Sequence, residues 1–384
     1  MTNARMLRSL ALAAAAVPVA AFSQVPDLLT ALDAGGRGMG MGGGVNQTAS
    51  DTLSGYYNPA GLAYLDSARM GLTFRNLPRS TTNISGNFDN PVMSTEGTRG
   101  ANTISHLGYA MPWGKARDNG NRPVVAFTYT LGGYVFDTQK GTNLQNGALI
   151  VRNYEKELRL RTDYFTLAYA QANSNMTFNW GIGLNYVRQG VTKNVKGVLV
   201  DSTNNVVGNL GSETSETGSG VGATVGFQWT PKGNVTYGLS YRTEIDLNGN
   251  PVTKTIYDKI PAKLNAGVTI RRDGLRGGRD FLLLGANLQH TFKGKDGSDF
   301  DRGSQTAVGL GIEYNMFRRN ARIPVRMGYA FVGRSSDDFL NRNGFTMGVG
   351  YQPDGSNYTL DLNMAFPERG GFDLGLSLSY RLGK

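Results

Sequence analysis

The sequence predicts an all-β fold: an antiparallel transmembrane β-barrel of about 14 strands with an N-terminal glycine-rich hatch, or plug, in its lumen. Three observations lead to this prediction. The chain begins with a secretory signal, its later segments alternate apolar and polar residues, and the connections between those segments are alternately long and short. This combination is typical of an integral protein of the bacterial outer membrane.

Residues 1–23 form the predicted signal peptide. Two arginines in the first eight residues make a basic n-region, an apolar run follows over residues 10–21, and Ala21 and Ser23 supply small residues at the cleavage positions. The run is shorter than the roughly 20 residues that a membrane-spanning helix needs. The sequence contains no cysteine, which excludes disulfides and thiolate metal sites. We therefore expect export to the bacterial envelope.

Residues 24–66 are the predicted hatch, because they precede the first strand and are too rich in glycine to form a strand themselves. Gly38, Gly40 and Gly43 match the spacing of a dinucleotide-binding loop. Such a loop needs a strand before it and a helix after it, and the sequence predicts neither here. We therefore expect the glycines to belong to a lumen plug and not to a nucleotide site.

The predicted hatch ends in a turn motif made of four consecutive residues, Asn58, Pro59, Ala60 and Gly61. Proline fixes its own φ and restricts the preceding residue to extended geometry. The motif lies where the hatch must turn into the first strand. A structural role is therefore the better supported prediction, with a ligand-binding or catalytic role as the alternative.

Residues 67–384 are predicted to form the barrel. Residues 221–229 place every apolar side chain on one face and small or polar side chains on the other, and residues 372–382 do the same. Aromatic residues recur at the ends of such segments, where a membrane barrel needs interfacial girdles. A secreted all-β protein with decorated loops is the alternative, since soluble sandwiches also alternate. The predicted strands begin near Ala68, Thr103, Pro123, Glu157, Thr177, Gly220, Val235, Tyr257, Phe281, Gln305, Ile323, Gly344, Asn357 and Gly371.

The predicted connections give an independent test of the barrel. Those after odd-numbered strands are long and polar, as in residues 77–100, 134–154 and 190–219, whereas those after even-numbered strands are short, as in residues 230–234. Outer-membrane barrels have short periplasmic turns and longer extracellular loops. With the N-terminus in the periplasm, the long loops face outward and an even number of strands returns the C-terminus to the periplasm.

Several other functions are not expected. The net charge of +10 is spread along the chain, whereas nucleic-acid binding favours a clustered basic patch. The two histidines are His106 and His290, and residue parity turns His290 toward lipid, so a catalytic triad or histidine metal site would depend on His106 alone. We therefore expect no enzyme activity, no cofactor and no metal.

Several motifs of this sequence occur together in one known family. They are the glycine-rich stretch that leads to Tyr56-Tyr-Asn-Pro-Ala-Gly-Leu62, Trp229-Thr-Pro231, and residues 237–242 and 259–264. In these motifs the sequence resembles the FadL/TodX family of outer-membrane transporters for hydrophobic compounds. One departure is the last residue, Lys384, where such barrels usually carry an aromatic residue.

The resemblance implies a monomeric barrel set among outer-membrane lipid and lipopolysaccharide. Long-chain fatty acids or aromatic hydrocarbons would diffuse passively into the plugged lumen and leave sideways into the bilayer. The alternative is a PorV-like barrel, because similar N-terminal motifs occur in that related branch. Such barrels serve protein secretion or the attachment of cargo to the cell surface.

Two sets of residues are candidates for transport. Gly132 and Gly133 lie inside the third predicted strand, where paired glycines often mark a bulge or bend, and we predict that they open a lateral gate in the wall. The alternative is that the strand ends there in a turn. The second set is predicted from parity to face the lumen and to bind a carboxylate of the solute, or else to pair with wall carboxylates such as Glu313 and Asp361. It comprises Arg242, Lys263, Arg271 and Arg381.

Overall fold

The computed structural model describes residues 25–26, 35–87, 90–115, 122–249, 259–276, 278–296, 300–302, 304–333, 339–340, 343–368 and 372–383. The predicted signal peptide, residues 1–23, lies outside the described residues. Within the described part of the chain, no helix has the length and apolar character needed to cross a membrane.

Fourteen strands form one closed barrel, which confirms the predicted fold. Each strand pairs in antiparallel fashion with the one before it, and β14 returns to pair with β1, for example Ala68 with Leu382. The strands are β1 (Ala68–Asn87), β2 (Asn90–Pro112), β3 (Val124–Asn146), β4 (Leu149–Ala172), β5 (Phe178–Val200), β6 (Val206–Lys232), β7 (Val235–Arg242), β8 (Lys263–Leu275), β9 (Asp280–Thr291), β10 (Gln305–Arg318), β11 (Ala321–Val332), β12 (Gly344–Pro353), β13 (Tyr358–Pro367) and β14 (Asp373–Leu382).

The barrel has its apolar side chains outside and its polar side chains inside. On β7, Tyr237, Leu239 and Tyr241 are 43–46% exposed on the outer face, whereas Ser240 and Arg242 are buried in the lumen. A soluble barrel has the reverse arrangement, because water would disfavour a continuous apolar outer band. The alternation therefore gives the barrel an apolar outer surface that suits a lipid environment.

The predicted long loops are largely strand, which corrects the expected boundaries. Residues 77–100, 134–154 and 190–219 belong mostly to three long hairpins, β1–β2, β3–β4 and β5–β6. Beyond the apolar band, neighbouring strands still supply each other's backbone hydrogen bonds. The ladder therefore continues through segments whose side chains are polar. The predicted starts at Thr103, Glu157 and Gly220 consequently lie inside strands. The predicted start at Tyr257 lies outside the described residues.

Two ends of the barrel can now be distinguished. We call the end with the three long hairpins the hairpin end, and the end with short connections such as residues 173–177 the turn end. Several very short strands lie beyond the main ladder. They are Val25–Pro26 paired with Phe339–Leu340, Ile245–Asp246 paired with Lys259–Ile260, Gly294–Asp296 paired with Phe300–Arg302, and Asn248–Gly249 paired with β6.

The described part of the hatch from residue 35 onward lies inside the barrel. It contains α1 (Gly36–Gly40), α2 (Ser54–Tyr57) and a 3-10 helix (Pro59–Tyr64). The 3-10 helix packs against β4, β5 and β6 in the lumen, and its Leu62 is fully buried. The hatch from residue 35 onward therefore fills much of the lumen with its own backbone and side chains.

Candidate functional site

The glycine-rich part of the hatch lies backbone to backbone against the barrel wall. A Cβ atom on Gly311 would come within 2.4 Å of the Met41 carbonyl oxygen, and one on Gly309 within 2.3 Å of the Gly42 carbonyl oxygen. Gly44 faces the same wall, where a Cβ atom would come within 2.8 Å of the Gly285 carbonyl oxygen. Glycine is thus required on both surfaces because no side chain fits between them.

Asn58 fastens the end of the hatch to the wall through its whole side-chain amide. Nδ2 donates to the Gln47 carbonyl at 2.9 Å and to the Phe227 carbonyl on β6 at 3.0 Å, while Oδ1 accepts from the Ala60 amide at 3.2 Å. Pro59 starts the 3-10 helix, and a Cβ atom on Gly61 would come within 2.1 Å of the Ala49 carbonyl oxygen. These contacts hold the motif against the rest of the hatch and against β6.

An apolar cluster lies on the hairpin-end side of the hatch, and we call it the lumen cluster. The Tyr56 ring meets Tyr57 at 5.0 Å and Tyr164 at 5.2 Å between centroids, both edge to face. The guanidinium of Arg242 lies 4.2 Å from the Tyr56 ring centroid and also donates to the Tyr56 carbonyl. The other members of the cluster are Leu53, Leu160, Val187, Val191, Ile245, Leu247 and Ile260.

Beside the lumen cluster, β3 contains a bulge at Gly132. Leu131 pairs with Asp163 and Gly133 pairs with Thr162 on β4, so Gly132 is the extra residue. The strand continues to Asn146, which excludes the alternative that it ends at the glycines in a turn. Tyr164 lies against Gly132, where a Cβ atom would come within 2.3 Å of its ring.

The ladder between β2 and β3 stops at the same place. The last pair of this ladder is His106 with Thr130. Further toward the hairpin end β3 has a new neighbour, because β1 pairs with it in parallel from Ser80 and Asp137 onward. Residues 131–136 thus have no described ladder partner on that side. We call this interval the seam.

A polar cavity of about 320 Å³ lies on the turn-end side of the hatch. Its lining includes Arg37 and Asp51 from the hatch, with Arg326 and Asp361 from the wall. The Arg37 and Arg326 side chains both donate to the fully buried carboxylate of Glu313, at 2.7 and 2.6 Å, and Arg326 also bridges to Asp361 at 2.5 Å. The network ties the hatch to β10, β11 and β13.

Asp51 carries a perturbed carboxyl group. Burial raises the pKa of Asp51, whereas the nearby Arg37 guanidinium and hydrogen bonds from the backbone of Leu53 and Ser54 lower it, and burial dominates. One of its oxygens, Oδ1, is buried without a hydrogen-bond partner among the described residues. Its ionised form is therefore poorly compensated in this position.

The four cations predicted from parity are not gathered at one place. Arg242 and Lys263 are buried in the lumen. Arg271 and Arg381 are exposed at the turn end, where they pair with Asp273 at 2.7 Å and Asp66 at 2.8 Å. Arg242 borders the lumen cluster through its contacts with Tyr56.

Both histidines have hydroxyl partners. The buried His106 contacts Thr52 through Nε2 at 2.9 Å and Thr130 through Nδ1 at 3.1 Å. His290 contacts Thr306 at 3.0 Å in an exposed pair. Among the described residues, no group of three or more histidine or acidic side chains is arranged to hold a metal ion. His106 thus serves to join the hatch to β2 and β3.

Sequence reasoning missed the residues that shape this region. Alternation indicates that Tyr164 and Glu313 face the lumen, but it does not indicate that they meet Tyr56 and Arg37 of the hatch. Tyr56 and Tyr57 directly precede the turn motif in the sequence. This aromatic pair in a segment expected inside the lumen is the available signal for an aromatic contact with the wall.

No family model matches the sequence, and comparison with curated proteins finds no match. Solved structures are nonetheless similar. A Pseudomonas aeruginosa FadL homologue aligns with a TM-score of 0.59 at 13% identity, over 90% of this chain and 98% of that one. The Ralstonia pickettii toluene transporter TbuX aligns with a TM-score of 0.57 at 13% identity, over 91% and 98% of the two chains.

A third structure, the CymD monoaromatic hydrocarbon channel, aligns with a TM-score of 0.55 at 12% identity, over 94% of this chain and 100% of that chain. Each alignment covers at least 90% of this chain and at least 98% of the other chain, so the complete folds are compared. The chain therefore has the FadL/TodX-type fold, a closed fourteen-stranded barrel with the described hatch residues inside.

Proposed function

We propose that this protein is an outer-membrane channel through which hydrophobic small molecules diffuse passively. Two of the similar structures are a toluene transporter and a monoaromatic hydrocarbon channel, which supports a hydrophobic solute. The hairpin end faces outward and the turn end faces the periplasm. The barrel acts as a monomer among outer-membrane lipid and lipopolysaccharide, after export by the signal peptide.

The contrast between the two sides of the hatch supports an apolar solute. The lumen cluster offers aromatic and aliphatic side chains on the outer side, whereas the periplasmic side holds a cavity lined by arginines and carboxylates. An apolar molecule gains free energy by leaving water for the cluster and would lose it by moving on into the polar cavity. A route straight through the hatch is therefore disfavoured.

Lateral exit at the seam is the proposed route, and the Gly132 bulge is the observation that carries it. The bulge lies against Tyr164 of the lumen cluster, and residues 131–136 next to it have no described ladder partner toward β2. Solute in the cluster would thus be adjacent to an interval of the wall where no described ladder has to open between β2 and β3. We propose Gly132 and Gly133 as the gate on this basis.

Deleting Gly132 tests the route. The deletion removes the extra residue and leaves every other pair of β3 with β4 unchanged, so the seam should close while the barrel still folds. We expect uptake of labelled toluene and of a labelled long-chain fatty acid to fall to the level of cells without the gene. A labelled sugar of similar size is the control solute.

A matched deletion controls for the removal of a bulge residue. Val207 is the extra residue at the tip of the β5–β6 hairpin, far from the seam, and its deletion should leave uptake unchanged. Heat-dependent mobility of the barrel in detergent gels reports folding for each variant. Full uptake by a folded barrel that lacks Gly132 would refute lateral exit, and equal uptake with and without the gene would refute the channel.

The length of the hairpins favours a PorV-like secretion or attachment scaffold as a second candidate. β6 has 27 residues, whereas a spanning strand needs about 9–11. The β5–β6 hairpin therefore projects far outside, where it could hold an exported protein. Stable co-purification of one exported protein, lost when residues 192–219 are shortened, would support the scaffold.

Catalysis is not proposed. His106 of β2 lies between the hatch and β3, where its ring nitrogens contact the hydroxyls of Thr52 and Thr130, and no acidic side chain that could orient the ring is among its described hydrogen-bond partners. The lumen-facing Arg242 remains a candidate partner for a solute carboxylate, since its guanidinium borders the lumen cluster. Lys263, Arg271 and Arg381 stay predictions from the sequence.

A further inference from the structure

The outer face of β3, β4 and β5 changes abruptly from apolar to basic toward the hairpin end. Its apolar part includes Leu167 and Leu184, each 55% exposed. A row of aromatic rings follows, with Tyr129 at 5.4 Å from Phe165 and Phe165 at 6.2 Å from Tyr186. Rows of this kind lie at the lipid headgroup level of outer-membrane barrels.

Charged side chains come directly after the aromatic row. Next along β4 from Phe165, with the same outward parity, are Asp163, Arg161 and Arg159, and Arg188 on β5 pairs across from Asp163. Arg161 and Arg159 are 46% and 55% exposed in their side chains. Arg79 of β1 adds a fourth guanidinium, because it and Arg159 both lie over the ring of Phe136, at 4.0 and 4.4 Å.

The acids of this surface leave an excess of positive charge. Arg159 pairs with Glu157 at 2.7 Å and Arg161 with Asp163 at 2.9 Å, while Arg79 is 3.9 Å from Glu157. No described acid lies within ion-pairing distance of Arg188. Four guanidiniums thus face two carboxylates on an exposed surface next to an apolar band. We call Arg79, Arg159, Arg161 and Arg188 the basic patch.

We propose that the basic patch binds the phosphate groups of a phosphorylated glycolipid of the outer leaflet. The inference rests on the membrane location and orientation proposed above. Guanidinium forks match phosphate oxygens with two parallel hydrogen bonds. Arg161 and Arg188 are diagonal neighbours on adjacent strands, at a spacing of about 7–8 Å that allows both to reach one phosphate.

The neighbouring apolar surface fits the same ligand. Acyl chains of a lipid held by its phosphate at Arg161 and Arg188 would run down over Phe165, Leu167 and Leu184. An inorganic phosphate would use the arginines but not this apolar surface. The bound lipid would also stand beside the seam, since Tyr134 and Leu131 of β3 pair with Arg161 and Asp163.

The test is binding of purified lipid A to the full-length mature barrel in detergent, measured by native mass spectrometry. The probes are lipid A with both phosphates and the same lipid after dephosphorylation. The variant is Arg161→Gln together with Arg188→Gln, and we expect it to lower the affinity for the phosphorylated lipid by at least about fivefold. Binding of the dephosphorylated lipid should be weak and unchanged.

A control variant removes the same charge elsewhere. Arg318→Gln with Arg319→Gln changes two exposed arginines at the turn end and should leave binding of the phosphorylated lipid unaltered. Equal binding of the two lipids by the unaltered chain would overturn the proposal. So would an equal loss in both variants, because net charge alone would then explain the binding. Arg188→Gln by itself keeps the Arg161–Asp163 pair and provides the same comparison if the double variant does not fold.

The assay separates this proposal from the proposed channel. Lipid binding is read in detergent and does not depend on transport, whereas toluene uptake is read in cells. If the Arg161→Gln, Arg188→Gln variant loses binding of the phosphorylated lipid while toluene uptake stays normal, the result supports the basic patch without bearing on the channel. Phosphate-dependent binding by a barrel that transports nothing would leave the patch supported and refute the channel.

Discussion

Gly132 of β3 lies against the ring of Tyr164 on β4, so near that a Cβ atom at position 132 would come within 2.3 Å of a ring carbon. No side chain fits into that space, so the ring keeps its place only while residue 132 is glycine. Because Gly132 is also the extra residue of the bulge, the bend in the wall and the lumen cluster form one packed unit.

Gly132→Ala is expected to lower the free energy of unfolding by about 1–3 kcal/mol, because the new methyl group overpacks the contact with Tyr164. Adding Tyr164→Leu should recover part of that loss, which a double-mutant cycle measures. Urea unfolding in detergent, followed by tryptophan fluorescence, provides the values. Gly211→Ala is the control, since a Cβ atom there meets nothing within 4 Å.

Glu313→Gln is expected to loosen the hatch. The fully buried carboxylate accepts hydrogen bonds from Arg37 and Arg326, and removing its charge breaks both ion pairs, at a cost of about 3–5 kcal/mol. Arg326 keeps its bridge to Asp361, so the hatch residue Arg37 is the one whose attachment weakens. Trypsin should then cut after Arg37 faster than in the unaltered protein, which mass spectrometry detects. Glu157→Gln, in an exposed pair, should leave the cleavage rate unchanged.

Gly311→Ala should displace the glycine-rich part of the hatch from the wall. The methyl group would collide with the Met41 carbonyl oxygen, which is backbone and does not move aside as a flexible side chain would. We expect a loss of about 1–3 kcal/mol in unfolding free energy. Faster amide hydrogen exchange over residues 38–45 is the readout, and unchanged exchange there would contradict the close approach.

Asp51→Asn is expected to stabilise the protein at neutral pH. Since burial raises the pKa of Asp51 above its ordinary value of 3.8, the folded state favours the protonated form. The unaltered chain therefore loses stability relative to the variant as the pH rises above that value. Below it, both states are protonated and the two proteins should converge. Parallel unfolding curves at low and neutral pH measure the difference, and a constant difference would contradict the assignment.

Much of the fold follows from local pattern. Alternation along β7 and β14 predicts which side chains face lipid, because a strand turns successive residues to opposite faces. Paired glycines at 132 and 133 predict a bulge, since glycine in a strand interior weakens it. The predicted boundaries of the long hairpins were wrong. Beyond the apolar band the sequence of a strand is free to be polar, so the sequence predicts a loop in parts of β5 and β6 where the ladder continues.

The sequence by itself determined the barrel, the approximate number of its strands, the inside and outside of its wall, and the N-terminal plug. Those features depend on residue parity, on glycine content and on the spacing of connections, which are all local along the chain. The tertiary structure decided the contacts across the lumen. Arg37 meets Glu313 across 276 residues of sequence, and Tyr56 meets Tyr164, because closure of the sheet brings distant strands onto the hatch. Parity determines the face on which a side chain lies, and only the closed barrel determines its partner.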